Sequence, residues 1–423
     1  MNRLMLSTVA LGIALWGLGL PGPGGPTRAA AEDEAPKDPT RGDWDGFLDP
    51  VRDAEDTLTG WQGSLEEKSK VHVMMGISQG WEWNFNDPGR NAIGDLMPNT
   101  LRSLDYYHNA GDLDLLQARI NRPSEGWIPG FGVTLDVGDI AKRIKSDWNG
   151  NGVVKRGDFF EKSNFDAEEV YLQYSLGDEA GPLKGLSIKG GKFVTLLGAE
   201  VIEPWANYNY SRSFLFGFAI PFTNTGVLAT YPIFDTLSVS FGGVVGWDNV
   251  ADNNNSPSFM GNVTWTATDW ATLGVNGIYG PEQTNNIGNK RDVVDVVATI
   301  KPCDPITFLL NYDNGSEENA VNNGTRNANW QGFSGIINYA ITPRFSTAFR
   351  GEWFEDSGGT RTGLSQNLFE TTLTLKYLIT QHLYSRIEYR HDESNKDNVF
   401  VAGSTKLLPG QDTLGFEFGY VFN

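Results

Sequence analysis

Cysteine is nearly missing from these 423 residues: Cys303 stands alone, so a disulfide-stapled scaffold is excluded and stability must come from backbone pairing and packing. Histidine is almost as scarce. His72, His108, His382 and His391 fall in no recognisable Ser, Asp or metal arrangement, which leaves no constellation for nucleophilic or metal-assisted catalysis. Beyond the N-terminal stretch no run of about 18 apolar residues occurs, so membrane-crossing helices are excluded. Positive charge is also short, with 33 Lys and Arg against 52 Asp and Glu, and the net charge of −19 disfavours nucleic acid as a partner because phosphate contacts need basic side chains. No phosphate-binding glycine loop is present: Gly185, Gly190 and Gly191 flank a short strand, where they relieve crowding or make a bulge.

What is present is alternation. Leu414, Phe416, Phe418, Tyr420 and Phe422 share one face of a terminal segment whose other face carries Thr413, Gly415, Glu417 and Gly419. Such an apolar-out, polar-in strand suits the closing strand of an outer-membrane barrel, in which each crossing needs only about ten residues, half of them polar.

The N-terminus has the layout of a secretory signal: Arg3, an apolar stretch over 4–20, then Ala29, Ala30 and Ala31, with cleavage expected after Ala31 and without a cysteine for a lipid anchor. Losing Arg3 and Arg28 would bring the charge to −21. Residues 32–70 are polar and proline-bearing and are expected in the periplasm. They contain one candidate helix on which Val51, Ala54, Leu58, Trp61 and Leu65 fall near one face, to serve as a plug, a cell-wall contact, an oligomerisation helix or a cap packed on the barrel mouth. Residues 71–423 are expected to form one barrel. Period-two segments recur at 71–83, 112–121, 130–137, 167–175, 186–193, 221–231, 237–247, 258–267, 270–279, 292–301, 306–314, 330–340, 345–355, 368–379, 383–392 and 413–422, about 16 strands in all.

Their connections alternate between long and short, the pattern of a barrel with both termini in the periplasm. The long ones cover 84–111, 138–166, 194–220, 248–257, 280–291, 315–329, 356–367 and 393–412. Charges keep to one face of a strand: Tyr384, Arg386, Glu388 and Arg390 alternate with Ile387 and Tyr389. In a barrel that face lines the lumen, since Arg or Lys facing lipid near mid-membrane costs roughly 2–4 kcal/mol. Trp83, Trp127, Tyr231, Trp247, Tyr279, Tyr312, Tyr339, Tyr377 and Tyr384 fall near strand ends, where interfacial aromatic belts would need them.

With these residues in place the chain resembles the outer-membrane β-barrel porins, and within them it is similar to the OmpL-like porin family. The resemblance is most specific from Lys189 to Tyr231 and continues through Gly246–Asn249 and Arg386–Ser394. Gly42, Asp43, Trp44, Asp45 and Gly46 also resemble, more distantly, the start of carbohydrate-selective porins. The likeness implies a bacterial outer-membrane pore for small hydrophilic solutes, lipid as its surroundings, and a homo-oligomer such as a trimer. The departure is Asn423, which follows Phe422 where porins usually end on an aromatic residue.

Three groups of residues are candidates for function. The segment 194–220 is too long and too apolar for a solvated loop. Folded into the lumen it would place Glu200, Glu203, Asn207, Asn209 and Arg212 at a constriction, where opposed charges set a field. Alternatively it clamps the barrel wall or a neighbouring subunit. Lumen-facing positions on strands are Arg119, Asp136, Glu169, Arg350, Glu352, Glu370, Lys376, Arg386, Glu388, Arg390 and Glu417, each also suited to a cross-strand ion pair. Finally, Asp147, Asn149, Asn151, the Val153 carbonyl and Asp158 have the spacing of a weak calcium loop with Gly152 at the sharp turn, or of a plain Asn-Gly turn cluster. Against a general diffusion porin stand a carbohydrate-preferring channel and a sealed structural or adhesive barrel.

Overall fold

A computed structural model of the chain describes residues 45–91, 97–146, 163–403 and 405–422. Helix α1, Asp45–Ser69, precedes strand β1, His72–Asn84. Then come β2 (Ala110–Arg122), β3 (Gly130–Val137), the short helix α2 (Asp139–Arg143), β4 (Phe165–Ser175) and β5 (Ser187–Val194). After a long inward segment follow β6 (Thr223–Phe234), β7 (Leu237–Val244), β8 (Ser258–Thr268), β9 (Ala271–Gly280), β10 (Arg291–Cys303) and β11 (Ile306–Val321). The series continues with β12 (Arg326–Ala340), β13 (Phe345–Asp356), β14 (Gln366–Leu378), β15 (Leu383–Ser394), β16 (Phe400–Ala402), β17 (Lys406–Leu408) and β18 (Gly410–Phe422).

Strands β1–β15 and β18 form one closed antiparallel barrel of 16 strands, each hydrogen-bonded to its sequence neighbour, with β18 bonded to both β15 and β1. Closure satisfies every ladder group within the sheet, which a hydrocarbon environment demands. Each of the sixteen expected strands is present, displaced by a few residues at its ends. The remaining two, β16 and β17, make a small hairpin inside the last long connection, where the sequence showed no alternation long enough to register.

Side chains divide as the barrel requires. On β1, Met75, Ile77, Trp81 and Trp83 point outward and are exposed, whereas Ser78, Glu82 and Asn84 are buried inside. On β18, Phe416 and Phe418 are exposed and Gln411, Thr413 and Glu417 are buried. Phe422 shares the outward register but is covered, its ring 6.0 Å from that of His382.

One sequence expectation needs correction. The connection expected over 315–329 is mostly strand: β11 and β12 extend past the sheet and meet in a tight turn where Asn322, Asn323 and Gly324 all have positive φ (52°, 55° and 83°). Asn and Gly tolerate that left-handed backbone, so the run that resembled a long loop is the tip of a hairpin. In helix α1 the apolar face grouped in the sequence is the uncovered one. Val51, Leu58 and Trp61 are exposed, while Leu48, Arg52, Glu55 and Gln62 are buried. Hydrogen bonds decide this: the Thr380 hydroxyl, in the β14–β15 turn, donates to Glu55 at 2.7 Å, and the Gln62 amide meets the His72 ring at 3.0 Å.

Candidate pore constriction

The chain between β5 and β6, residues 195–222, folds into the barrel and touches walls far from its own strands. Near its start the Gly198 N–H donates to Asp295 on β10 (3.1 Å) and the Ala199 N–H to Asn311 on β11 (3.0 Å). Further along, the Tyr210 hydroxyl donates to Asp114 on β2 (3.1 Å), and the Trp205 ring lies so close to Gly76 on β1 that an added Cβ would stand 2.4 Å from it. Near its end the Trp330 indole of β12 donates to the Ala219 carbonyl at 3.2 Å. Composition explains the inward path. Leu197, Ile202, Phe214, Leu215, Phe216 and Ile220 require burial, and they form one cluster with inward wall residues Leu228, Val244, Met260, Ile278 and Val293. Each such side chain contributes about 1.5–3 kcal/mol when fully buried.

Charged side chains of the wall hold the segment's backbone. Glu388 on β15 accepts the Tyr210 and Ser211 N–H groups (2.6 and 2.9 Å), and Glu352 on β13 accepts those of Phe214 and Leu215 (both 2.6 Å). Guanidinium groups serve the carbonyls. Arg386 donates to Asn207 (3.0 Å), Asn209 (2.9 Å) and Pro204 (2.9 Å), Arg390 to Arg212 (2.5 Å), and Arg350 to Ser211 (2.7 Å). These cations are in turn paired with carboxylates: Arg350 with Glu370 (2.6 Å) and Glu200 (2.8 Å), Arg390 with Asp392 (2.7 Å), and Arg386 with Glu417. The Lys376 ammonium sits 4.4 Å from the centre of the Tyr384 ring, whose hydroxyl donates to Glu417 at 2.7 Å.

The five segment residues singled out in the sequence all lie in this assembly. Glu200 bonds Arg350 and accepts the Ser213 N–H at 2.8 Å. Glu203 pairs with Arg119, which also donates to Thr134 at 3.2 Å. The Asn207 amide bonds the Val201 and Glu203 carbonyls (2.9 and 2.7 Å), and that of Asn209 donates to Thr374 at 2.7 Å. Arg212 spends its donors on the Val201, Ile202 and Tyr210 carbonyls at 2.8, 2.8 and 2.6 Å. On the wall, Asp136 is buried opposite Gln117 in the β2–β3 pair, and Glu169 accepts from Thr134 at 3.3 Å. The calcium candidates Asp147, Asn149, Asn151, Val153 and Asp158 lie outside the described residues.

Sequence reasoning missed several members. Asp392 continues the period-two sign alternation Arg386, Glu388, Arg390 on β15 and was legible there; it also pairs with Arg102 of the β1–β2 connection at 2.8 Å. Asp114, Asp295 and Asn311 are inward polar residues whose bonds to the segment go to a hydroxyl or to backbone N–H groups, and that leaves no pattern in a sequence. Toward the outer end Arg361 donates to the Phe218 carbonyl (2.5 Å) beside Trp247 and Trp330, and burial, then the nearby Arg291, lowers its pKa to about 10. Asp248 accepts the Phe222 and Thr223 N–H groups, and burial pushes its carboxyl up to about 6.

Inward-facing is therefore not the same as accessible. With Cys303→Ser as background, a membrane-impermeant thiol reagent is expected to label Thr299→Cys, half-buried on the inner face of β10, but neither Val263→Cys on the lipid face nor Arg386→Cys beneath the segment. Labelling of Arg386→Cys at the Thr299→Cys rate would show that the segment does not cover β15.

A closed sixteen-strand barrel with an apolar outer face and an inward-folded segment defines a bacterial outer-membrane porin. The chain belongs to the family described as "Putative beta-barrel porin-2, OmpL-like", whose model matches residues 70–422. Among solved structures it is similar to the outer-membrane channel DcaP of Acinetobacter baumannii (12% identity, TM-score 0.55, covering 83% of this chain and 97% of that one). It is also similar to the anion-selective porin of Comamonas acidovorans (9%, TM-score 0.54, 83% and 99%) and to the trimer form of OmpT from Vibrio cholerae (11%, TM-score 0.53, 83% and 98%). At such identities the likeness is one of fold. No curated protein sequence matches.

Proposed function

We propose that this porin passes small hydrophilic solutes by diffusion through a section narrowed by residues 195–222, and that Glu200, Glu203, Asn207, Asn209 and Arg212 shape this section by fixing the segment rather than by presenting free charge. The observation that carries the reading is the double row of bonds from Glu388 and Glu352 to the segment's N–H groups. Two carboxylates that each accept adjacent backbone donors hold a loop in one place, and a loop fixed across a lumen sets its width.

Part of the inward wall away from the segment is small, polar and uncharged. Thr266, Thr272 and Thr299 stand in register on β8, β9 and β10, and Asn338 and Ser346 follow on β12 and β13. Hydroxyls and amides can replace a solute's water without favouring either sign of charge. Arg119, Arg350, Arg386 and Arg390 each have a carboxylate within ion-pair distance, which supports a path without the anion selectivity for which the Comamonas porin is named. The short turns of such barrels face the periplasm, and the bond from α1 to the β14–β15 turn supports a periplasmic helix. The trimer form of the Vibrio protein supports assembly of identical copies.

Purified protein in a planar bilayer is expected to give stable conductance steps with a reversal potential near zero in a salt gradient. No steps would mean a sealed, structural barrel. A large reversal potential would mean that free charges line the path, and block by sugars at millimolar levels (on the order of the lower affinities of binding sites) would favour the carbohydrate channel.

A further inference from the structure

Helix α1 turns its polar side to the barrel and leaves its apolar side bare, the reverse of what burial energetics demand of an isolated chain. Its bare residues are Val51, Ala54, Leu58 (41% exposed) and Trp61 (54% exposed), with Leu65 half-buried. Their steps are three, four, three and four residues. That is the seam of a coiled coil, in which apolar residues recur every 3.5 residues on average and stay in line as partner helices supercoil.

The flanks fit a partner identical to the helix itself. On one side of the seam stand Thr57 and Ser64, both uncharged; on the other stand Glu55 and Gln62, already bonded to Thr380 and His72. The acidic residues Asp49, Asp53, Asp56 and Glu67 lie across the helix, away from the seam. Two copies can therefore close on one another without bringing like charges together at the positions that decide coiled-coil pairing. A membrane surface is a poorer cover, because the helix carries more acidic than basic residues and the lipids that attract surface helices are anionic.

We propose that Val51, Ala54, Leu58, Trp61 and Leu65 form a helix-to-helix seam through which copies of this chain associate on the short-turn side of the barrel. The inference rests on the assembly of identical copies argued above and names the surface that makes it. The polar hydrogen bonds to the barrel then have a purpose: they hold α1 at a fixed angle with its seam turned outward, so that the helices of neighbouring barrels meet.

The test uses full-length protein carrying Cys303→Ser, with single cysteines oxidised in isolated outer membranes. Leu58→Cys is expected to yield a disulfide-linked pair of chains, since facing seam positions bring cysteines within bonding reach, whereas Asp56→Cys, on the far side of the helix, is not. In parallel, the double variant Leu58→Glu, Trp61→Glu is expected to lower the particle mass in detergent while its barrel keeps heat-modifiable migration, because both positions are solvent-facing and outside the sheet. Equal linkage at residues 56 and 58, or none at 58 in a protein that remains an oligomer of unchanged mass after the double substitution, overturns the seam and assigns the association to the barrel wall. A parent protein that is monomeric in membranes and in detergent removes the assembly reading as well.

Discussion

Arg350→Met is expected to lower the stability of the folded barrel by about 3–5 kcal/mol, the usual cost of removing one partner from a buried ion pair. Arg350 is fully buried and bonds Glu370, Glu200, the Ser211 carbonyl and the Ser211 hydroxyl. A methionine fills the space and leaves Glu200 without its cation and Glu370 with only the more distant Arg390 (3.4 Å), inside the protein, together with an unserved backbone carbonyl. The temperature at which the compact electrophoretic form converts to the unfolded one measures the loss. Adding Glu370→Leu should recover part of it, since replacing a whole buried pair by apolar side chains is often neutral whereas breaking one is not. Single-channel current of the Arg350→Met protein should also become noisier, because Glu200 and Ser211 lie on the segment proposed to narrow the pore. A variant with the melting point and the quiet current of the parent would show that the segment is held elsewhere.

The barrel was legible in the sequence because lipid on one side and water or protein on the other impose a period of two on every strand. Trp81, Phe416, Ile387 and Tyr389 on the exposed face and Glu417, Arg386 and Glu388 on the buried one follow from that single constraint. The same parity identified most of the wall charges that grip the segment. Their partners were hidden, however, because Glu388 and Glu352 bind backbone N–H groups, and Arg386 binds backbone carbonyls, which every residue supplies alike. Thus Glu200, Glu203 and Arg212 could be assigned to the right segment while their engagement in fixing it stayed out of view. The helix shows the opposite limit. Val51, Leu58 and Trp61 were grouped on one face correctly, but which face packs depended on Glu55 meeting Thr380, a contact between residues 325 positions apart.

The larger functional effect is expected from removing the segment between Gly198 and Gly217 and joining its ends with a short Gly-Ser linker. The barrel should still close, since its ladder bonds run from strand to strand and none depends on the segment. Inside, Arg386, Glu388 and Arg350 would exchange backbone partners for water at little cost, while Leu228, Met260 and Val293 would face a wider aqueous lumen, which lowers stability without opening the sheet. Conductance is expected to rise severalfold, and Arg386→Cys in the same background should change from protected to labelled. The two readouts fail independently. Labelling without increased conductance would put the narrowest point elsewhere, with the inward connection before β2, held by Arg102 to Asp392, as the next element to remove. Increased conductance without labelling would mean that β15 stays covered by other chain, so that residues 195–222 narrow the pore without shielding that strand.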